Sequence, residues 1–552
     1  MKKFFTLLCV ISFGLAKAQF ANTVTYLGYY TQAQINTILA GQGIPQGVFT
    51  VAYDVKAYRV LYNTVDWDSV PITASGLLCV PVNPTCKVGM VSYQHGTTLE
   101  KNQAPSFLAG NEWFVALIGA SIGYDAMEPD YLGLGTGPGF HPYQHAHTEA
   151  TATIDMIRAA KEIVDTMGAP YNDQLFLMGY SQGGHATMAA HELIQEQLDN
   201  VMHVTASAPM SGAYDMSGVM GDLLTSNQPY PAPYYLPYLI FGYNEVYHLF
   251  AHDSDAMIHP YDSILPPMYN GIVSSNTVDN VMPNVPVNIM QPLQVDSFVN
   301  DSTTNFFRIK LKENNTYNWL PTSPMKMYFC SGDHYVPHAN TTVAYQHFMQ
   351  QGATNIDTFD IGNYEHQACA PYAILGAVTW FQGLTYLPIA SAGVTTAANT
   401  SPVNLNGTAV AHGAQGEPPY NYLWSNNATT DSISGLAAGT YYVTITDRNQ
   451  CGSAIDSAVI QFVAGIQDEV LTNVRLYPNP TKGMVNIENT NPADNLKQPE
   501  VFDMNGRLVK TYAVRQGINI QLYFDDIAQG VYYVRLRADS GKQVISKITI
   551  LE

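Results

Sequence analysis

The sequence predicts an α/β fold built on a mostly parallel β-sheet, followed by two small all-β modules. Between residues 88 and 210, strand-like apolar runs alternate with helix-length segments. Such alternation is typical of right-handed crossovers between parallel strands. Beyond residue 387 the composition shifts to Ala, Thr, Ser, Asn and Gly in short alternating runs, which favours small β-sandwiches. With 552 residues, the chain is long enough for about three domains.

The first 18 residues are predicted to be a secretory signal peptide. Lys2 and Lys3 precede the apolar residues 4–15, and Ala16-Lys17-Ala18 places small residues before the expected cleavage site. No later apolar run approaches the ~18 residues of a spanning helix, so we expect no transmembrane segment. A net charge of -20 argues against nucleic acid as a partner. We therefore expect a protein that is secreted or held at the cell surface.

A helix and a hairpin are predicted before the parallel strands. Thr31 and Gln34 have the spacing of a helix capping box, and apolar residues follow them. Residues 51–63 and 71–81 alternate like strands, and Asp66-Trp67-Asp68-Ser69 between them is typical of a hairpin turn. We expect this hairpin to add an antiparallel edge to the sheet.

The parallel part begins with a strand at residues 88–94, which leads into His95-Gly96-Thr97. Two helix-length segments are predicted next, an apolar one at residues 104–121 and one at 149–167. Two further strands are predicted at residues 175–178 and 204–210.

The interval from about residue 216 to 322 interrupts this alternation. Residues 230–247 are dense in Tyr, Pro, Leu and Phe, and the strand pattern resumes only at residues 325–330. We interpret the interval as a cap inserted at the ends of the strands. Its aromatic residues would form a small core of the cap itself, or alternatively a wall for an apolar substrate.

A candidate nucleophile lies in Gly179-Tyr180-Ser181-Gln182-Gly183, between a strand pattern and a helix pattern. The two glycines remove Cβ atoms that would clash in a sharp strand-to-helix turn. The Ser181 hydroxyl would then lie at the N-terminus of a helix, where the amides favour developing negative charge. The pattern is that of a nucleophile elbow, and the alternative is an ordinary tight turn.

A serine nucleophile needs a base, and the base needs a carboxylate to hold its tautomer. The expected chain order is Ser, then Asp or Glu, then His. Asp333 follows the strand at residues 325–330, and His366 follows the strand-like residues 358–361. We therefore predict Ser181, Asp333 and His366 as the catalytic residues, on loops at one edge of the sheet.

Other residues compete for these roles. Asp333 could be a common turn residue, and His366 is one of 15 histidines, of which a loop histidine is usually a surface group. His334 and His338 are the rival bases. Glu365 is the rival carboxylate, although its adjacency to His366 makes the side-chain approach awkward.

The tetrahedral intermediate needs preorganised amides for its oxyanion. One predicted donor is the backbone N–H of Gln182, and the other is that of Thr97, where Gly96 lets the backbone approach. The alternative for the second loop is an ordinary strand-to-helix turn. His95 has no partner histidines at ligand spacing, so we expect neither a metal site nor a cofactor.

An odd number of cysteines remains after removal of Cys9, and no two of them form a CxxC pair. They are Cys79, Cys86, Cys330, Cys369 and Cys451. The sequence leaves their pairing open. A bond between Cys330 and Cys369 is one option, because both lie beside the proposed catalytic loops.

Residues 50–385 resemble an α/β-hydrolase, and more narrowly the secretory lipase family of extracellular microbial esterases. The likeness is carried by His95-Gly96-Thr97, the PDYLGLG run at 129–135, the GYSQGG run at 179–184, the DHYVP run at 333–337, and His366. The resemblance implies a cap before the last strands and cleavage of carboxylic esters, including acylglycerols. The interval between residues 210 and 325 shows no obvious amphipathic lid, which favours esterase action over interfacial lipolysis.

Residues 470–552 resemble the C-terminal sorting domain of cargo of the type IX secretion system. The matching stretches are YPNP at 477–480, VFDMNG at 501–506, GVYYV at 530–534 and KITI at 547–550. This resemblance implies passage over the outer membrane, with the type IX machinery as partner.

Residues 396–452 resemble the short immunoglobulin-like repeat of gliding-bacterium surface adhesins. The likeness is carried by YLWS at 422–425 and DRNQC at 447–451. That repeat often has an earlier cysteine to pair with its last one, and none is present here. We therefore expect Cys451 to be free.

Together these observations predict a secreted serine hydrolase that cleaves carboxylic esters with an apolar acyl group through an acyl-enzyme. The predicted domains are a signal peptide at 1–18, an α/β-hydrolase domain at 19–388 with its cap at about 216–322, an immunoglobulin-like module at 390–463 and a sorting domain at 468–552. Two alternatives are a serine peptidase of the same fold and a non-catalytic surface-binding protein. Peptidases of this fold commonly carry a preceding propeller, for which the segment before residue 51 is too short.

Overall fold

The computed structural model describes residues 20–44, 47–84, 87–168, 171–301, 303–385, 391–400, 405–414, 416, 418–448, 452–462, 471–491, 493–513 and 519–552. The predicted signal peptide, Cys86 and Cys451 lie outside these residues. The chain divides into two compact units. The first holds the described parts of 1–393, 412–430 and 443–456, and the second those of 394–411, 431–442 and 457–552.

A nine-stranded mixed sheet forms the centre of the first unit. Its strands are β1 (Ala21–Tyr30), β2 (Val55–Val65), β3 (Pro71–Pro81), β4 (Val88–Gln94), β5 (Tyr124–Pro129), β6 (Tyr171–Tyr180), β7 (Ala206–Met210), β8 (Met325–Phe329) and β9 (Ile356–Asp360). Their order is β1-β2-β3-β5-β4-β6-β7-β8-β9. The pairs from β1 to β5 are antiparallel, and those from β5 through β4 to β9 are parallel. The predicted parallel sheet with an antiparallel edge is confirmed.

Helices cover both faces of this sheet. The α-helices in chain order are α1 (Gln32–Gly41), α2 (Phe114–Ser121), α3 (Ala146–Thr166), α4 (Gln182–Leu193), α5 (Gly221–Leu224), α6 (Tyr235–Tyr247), α7 (Asp253–Ala256), α8 (Tyr261–Ile264), α9 (Ser275–Asp279), α10 (Pro292–Asn300), α11 (Phe306–Glu313), α12 (Ala339–Gln350) and α13 (His366–Leu384). One buried apolar cluster joins the sheet to α1, α2 and α13. Another joins it to α3 and α4.

The predicted N-terminal helix and hairpin are confirmed. The Thr31 side chain accepts from the Gln34 amide, and the Gln34 side chain accepts from the Thr31 amide, which completes the capping box of α1. In the turn between β2 and β3, the Asp66 amide donates to the Val70 carbonyl, and Ser69 has a φ of 61°.

Several elements differ from the prediction, and β5 and α12 had no prediction of their own. The helix expected over 104–121 begins only at Phe114, because Leu108 (φ 55°) and Gly110 (φ 74°) adopt left-handed backbone conformations that interrupt a helix. Strand β1 was not predicted. It lies at the edge of the sheet with mostly exposed side chains, so its sequence lacks a marked apolar alternation.

The interval between β7 and β8 holds α5 to α11 and has a hydrophobic core of its own. Tyr238, Tyr243, Leu239, Met257 and Phe298 are among its buried residues. Most of the tyrosines in this interval therefore pack against each other, as the core interpretation of its composition predicts.

Beyond residue 390 the described residues form small sheets, which confirms the all-β prediction. Their strands are β10 (Ser391–Ala397), β11 (Gly407–Ala414), β12 (Asn421–Trp424), β13 (Ser432–Leu436), β14 (Gly439–Thr446), β15 (Ser453–Ile460), β16 (Val474–Tyr477), β17 (Met484–Asn489), β18 (Glu500–Phe502), β19 (Leu508–Thr511), β20 (Asn519–Tyr523), β21 (Gly530–Arg537) and β22 (Gln543–Ile550). The sheet orders are β10-β11-β13, β12-β14-β15, β16-β17-β20 and β19-β18-β21-β22.

Candidate active site

Ser181 lies in the tight turn between β6 and α4, with φ 61° and ψ -121°. This backbone conformation is strained for a residue with a side chain. A Cβ on Gly183 would lie 1.8 Å from the carbonyl oxygen of Gln94, and one on Gly179 would lie 2.3 Å from that of Gly183. Both glycines are therefore required by close backbone approach, as expected for a nucleophile elbow.

The structure brings the three predicted catalytic side chains together. The Nε2 atom of His366 lies 2.8 Å from the Ser181 hydroxyl, and its Nδ1 atom lies 2.6 Å from Oδ2 of Asp333. The other carboxylate oxygen of Asp333 accepts from the amides of Tyr335 and Val336, both at 2.9 Å. The three residues are only 3–6% exposed. In this geometry Nδ1 of His366 can donate a hydrogen bond to Asp333, while Nε2 accepts one from the Ser181 hydroxyl.

Asp333 and His366 are held on neighbouring segments. Asp333 lies in the loop after β8, whereas His366 is the first residue of α13 and not a loop residue. A disulfide joins Cys330 to Cys369, each three positions from one of them. The Tyr180 hydroxyl also donates to the His366 carbonyl at 2.6 Å. Covalent and hydrogen bonds thus fix the position of the imidazole relative to the carboxylate.

The rival residues lie apart from this arrangement. His334 and Glu365 are exposed and bond to each other, with 2.7 Å between Nδ1 and Oε1. His338 stacks on the ring of Phe329 at a centroid distance of 5.9 Å. None of these three has a hydrogen bond to Ser181 among the described residues.

The two predicted oxyanion donors also lie beside the serine. Gln182 is the first residue of α4, and Thr97 lines the same cavity as Ser181. Neither backbone amide donates a hydrogen bond to any residue that the structure describes. Both amides are therefore available to a substrate oxygen.

Glu112, which the sequence analysis did not single out, holds the loop that carries Thr97. Its Oε2 atom accepts from the Gly96 amide at 3.0 Å and from the Tyr93 hydroxyl at 2.6 Å. From the other side, Nδ1 of His95 donates to the Gly96 carbonyl at 2.7 Å, and the His95 ring packs 4.6 Å from that of Tyr131. These contacts give His95 a structural role in the loop.

A buried polar network holds the side chain of Gln182. Its Nε2 atom donates to Oε1 of Glu149 and to Nε2 of His141, both at 2.7 Å. Oε2 of Glu149 bonds to Nδ1 of His185, and Nε2 of His185 bonds to the Asn314 carbonyl. Burial lowers the pKa of His141 to about 3, so its neutral ring can accept from Gln182. Gln182 is thereby tied to α3 and to the chain following α11.

A cavity of about 700 Å³ opens beside Ser181 and His366. Its walls come from α2, α13, residues 42–44, Phe49 and the interval between β7 and β8, which contributes Tyr234 and Tyr235. Glu112 is the one carboxylate among the described lining residues, and no lysine or arginine lines the cavity there. The cavity therefore suits a neutral, largely apolar molecule.

Family models match two parts of the chain. Residues 102–206 match the secretory lipase family, and residues 475–551 match the secretion system C-terminal sorting domain. The first match includes the elbow serine and ends before Asp333 and His366. A comparison with curated protein sequences gives no match.

Solved structures resemble about two thirds of this chain. A protein from Legionella pneumophila is 28% identical, with a TM-score of 0.63 over 66% of this chain and 98% of that one. The rice cell wall degrading esterase LipA from Xanthomonas oryzae is 26% identical, with a TM-score of 0.58 over 66% and 96%. Candida antarctica lipase A is 14% identical over 66% and 81%, with a TM-score of 0.50, and shares the fold.

Helices capable of spanning a bilayer were not found within the described ranges.

Proposed function

We propose that this chain, a secreted carboxylic ester hydrolase with a secretory lipase domain and a type IX sorting domain, cleaves its substrate through Ser181, His366 and Asp333. The observation that carries this proposal is the unbroken hydrogen-bond chain from the Ser181 hydroxyl through both ring nitrogens of His366 to Asp333. The Ser181 end of these hydrogen bonds faces a cavity that is large enough for an ester.

In the proposed acylation step, the Ser181 oxygen attacks the ester carbonyl while Nε2 of His366 takes the hydroxyl proton. Asp333 holds the ring in the required tautomer and stabilises the imidazolium. The two amides bound to the second oxygen of Asp333 orient that carboxylate. His366 then gives the proton to the departing alcohol, which leaves an acyl-enzyme on Ser181.

The oxyanion formed in each step would be bound by the amides of Gln182 and Thr97. Gln182 also lies at the N-terminus of α4, where the helix dipole favours negative charge. In deacylation, water attacks the acyl-enzyme with His366 again as the base, and the free acid is released.

The substrate we propose is a neutral ester with an apolar acyl group. The side chains of α2 and α13 that face the cavity are mostly apolar or aromatic. A charged acid would lose its hydration there without a described cation as partner.

The C-terminal sorting domain supports delivery to the cell surface or the medium by the type IX secretion machinery. We propose that machinery as the partner of residues 468–552, and we assign no catalytic role to the β-modules.

The Ser181→Ala variant tests this function with p-nitrophenyl acetate and butyrate. We expect kcat to fall by on the order of 10⁶-fold, because the nucleophile is removed. The matched control is Ser263→Ala, at an exposed serine of the cap, which should retain wild-type activity. Hydrolysis by Ser181→Ala at the wild-type rate would contradict the proposal.

A further inference from the structure

We propose that the cavity beside Ser181 is an acyl-binding slot that follows one face of α13, and that this slot selects esters of medium- and long-chain acids. The inference rests on the proposed function, because it places the acyl half of the same ester. It adds where the chain lies and which residues set the preferred length.

The face of α13 that begins with the base continues as an apolar stripe. His366, Ala370, Ile374 and Val378 are spaced four positions apart, so they lie one above the other on the same side of the helix. All four line the cavity. The imidazole that would act on the ester carbonyl is therefore in line with three apolar side chains.

The opposite wall is apolar as well. Phe114 and Ile118 lie one turn apart on α2, and both line the cavity. Ile118, Ile374 and Val378 belong to the apolar cluster beneath this face of the sheet, so the slot leads from the serine toward the hydrophobic interior.

The carboxylate of Glu112 lies at the catalytic end of the cavity. Glu112 bonds to the Gly96 amide, and a Cβ on Gly96 would lie 3.7 Å from that of Ser181. The one carboxylate of the described lining is thus placed at the catalytic end, away from Val378. An acyl chain that extends along α13 would meet mainly carbon.

The length of the apolar stripe on α13 limits the length of the acyl chain that it can cover. Val378 lies 12 positions after His366, which is about 18 Å in a helix that rises ~1.5 Å per residue. An extended alkyl chain with C–C bonds of ~1.5 Å advances about 1.25 Å per carbon. The stripe can therefore cover about 14 carbons, and by the same scale Ala370 and Ile374 lie about 5 and about 10 carbons from the base.

The wild-type profile is the first test. With monomeric p-nitrophenyl esters from acetate to laurate, we expect kcat/KM to rise by up to about fourfold per methylene, equivalent to about 0.8 kcal/mol. A profile that peaks at acetate or butyrate would overturn the slot. If Ser181→Ala is inactive at the same time, the proposed function stands and only the slot is lost.

Variants along the stripe locate the acyl chain. Ala370→Trp should end the rise near hexanoate and Ile374→Trp near decanoate, so the laurate-to-acetate ratio of kcat/KM falls at least tenfold in both. The matched control is Thr379→Trp, at an exposed position of the same helix, which should keep the wild-type ratio.

If a tryptophan variant does not fold, as judged by circular dichroism, Ile374→Ala decides instead. The enlarged slot should change the kcat/KM values of octanoate and longer esters relative to one another. The order of kcat/KM among the shorter esters should stay as in the wild type. Chain-length profiles that remain wild-type in Ile374→Ala and in the folded tryptophan variants would overturn the proposal.

Discussion

At the scale of single residues, Gly96 and Glu112 decide where the amide of Thr97 lies. The Gly96 amide donates to Glu112, and a Cβ at this position would lie 2.9 Å from Oε1 of Glu112. The loop is thus held by a side chain 16 positions further along the chain. A positioning residue of this kind affects the rate through the amide it places.

We expect Glu112→Ala to lower kcat by on the order of tenfold with little change in KM, because the oxyanion amide is weakened mainly in the transition state. Steady-state kinetics with p-nitrophenyl butyrate measures kcat and KM separately. Glu112→Gln keeps an acceptor oxygen and should restore part of the rate, and Glu245→Ala, at an exposed glutamate of α6, serves as the control. A rise in KM alone would contradict the positioning role.

The residues of the candidate site could be predicted because local patterns mark them. Glycines flank Ser181, and Asp333 and His366 each follow a strand pattern in the expected order. Glu112 carries no such signal, since its partner amide is brought to it only by the packing of α2 against the sheet. Glu149 is likewise an acidic residue in a helix pattern, and only the fold shows that it is buried against Gln182.

At the scale of elements, the disulfide between Cys330 and Cys369 joins the end of β8 to the first turn of α13. Sequence alone left this pairing open, since two cysteines 39 positions apart can pair only if the fold brings them together. The same holds for β1, an exposed edge strand without an apolar pattern. Buried strands and capped helices were predictable because burial imposes a period on the sequence.

The double variant Cys330→Ala/Cys369→Ala should lower the free energy of unfolding by about 4 kcal/mol, on the loop-entropy relation for a 39-residue separation. Urea unfolding with and without reductant measures the loss. The reductant should destabilise the wild type and leave the double variant unchanged. Equal unfolding midpoints for the wild type and the variant, both without reductant, would show that the bond contributes nothing.

At the scale of the whole molecule, buried acids make stability depend on pH. Burial raises the pKa of Asp125 to about 8, and neither of its carboxylate oxygens has a hydrogen-bond partner among the described residues. The folded state then binds a proton that the unfolded state releases above its ordinary pKa of about 3.9. Linkage therefore makes this residue reduce stability as pH rises from about 4 to about 8.

We expect Asp125→Asn to raise the melting temperature at pH 8, with a gain that shrinks steadily as the pH falls toward 4. Melting curves across this range, with Asp68→Asn as the exposed control, measure the difference. A constant difference at every pH would exclude titration of Asp125 as its cause.

Covalent labelling of the full chain tests most directly whether Ser181 is the nucleophile of an ester hydrolase. A fluorophosphonate ester should inactivate the enzyme with one equivalent bound. Tandem mass spectrometry should place the adduct on Ser181, and Ser181→Ala should remain unlabelled. Label on another residue with loss of activity, or full activity after Ser181 is modified, would contradict the account.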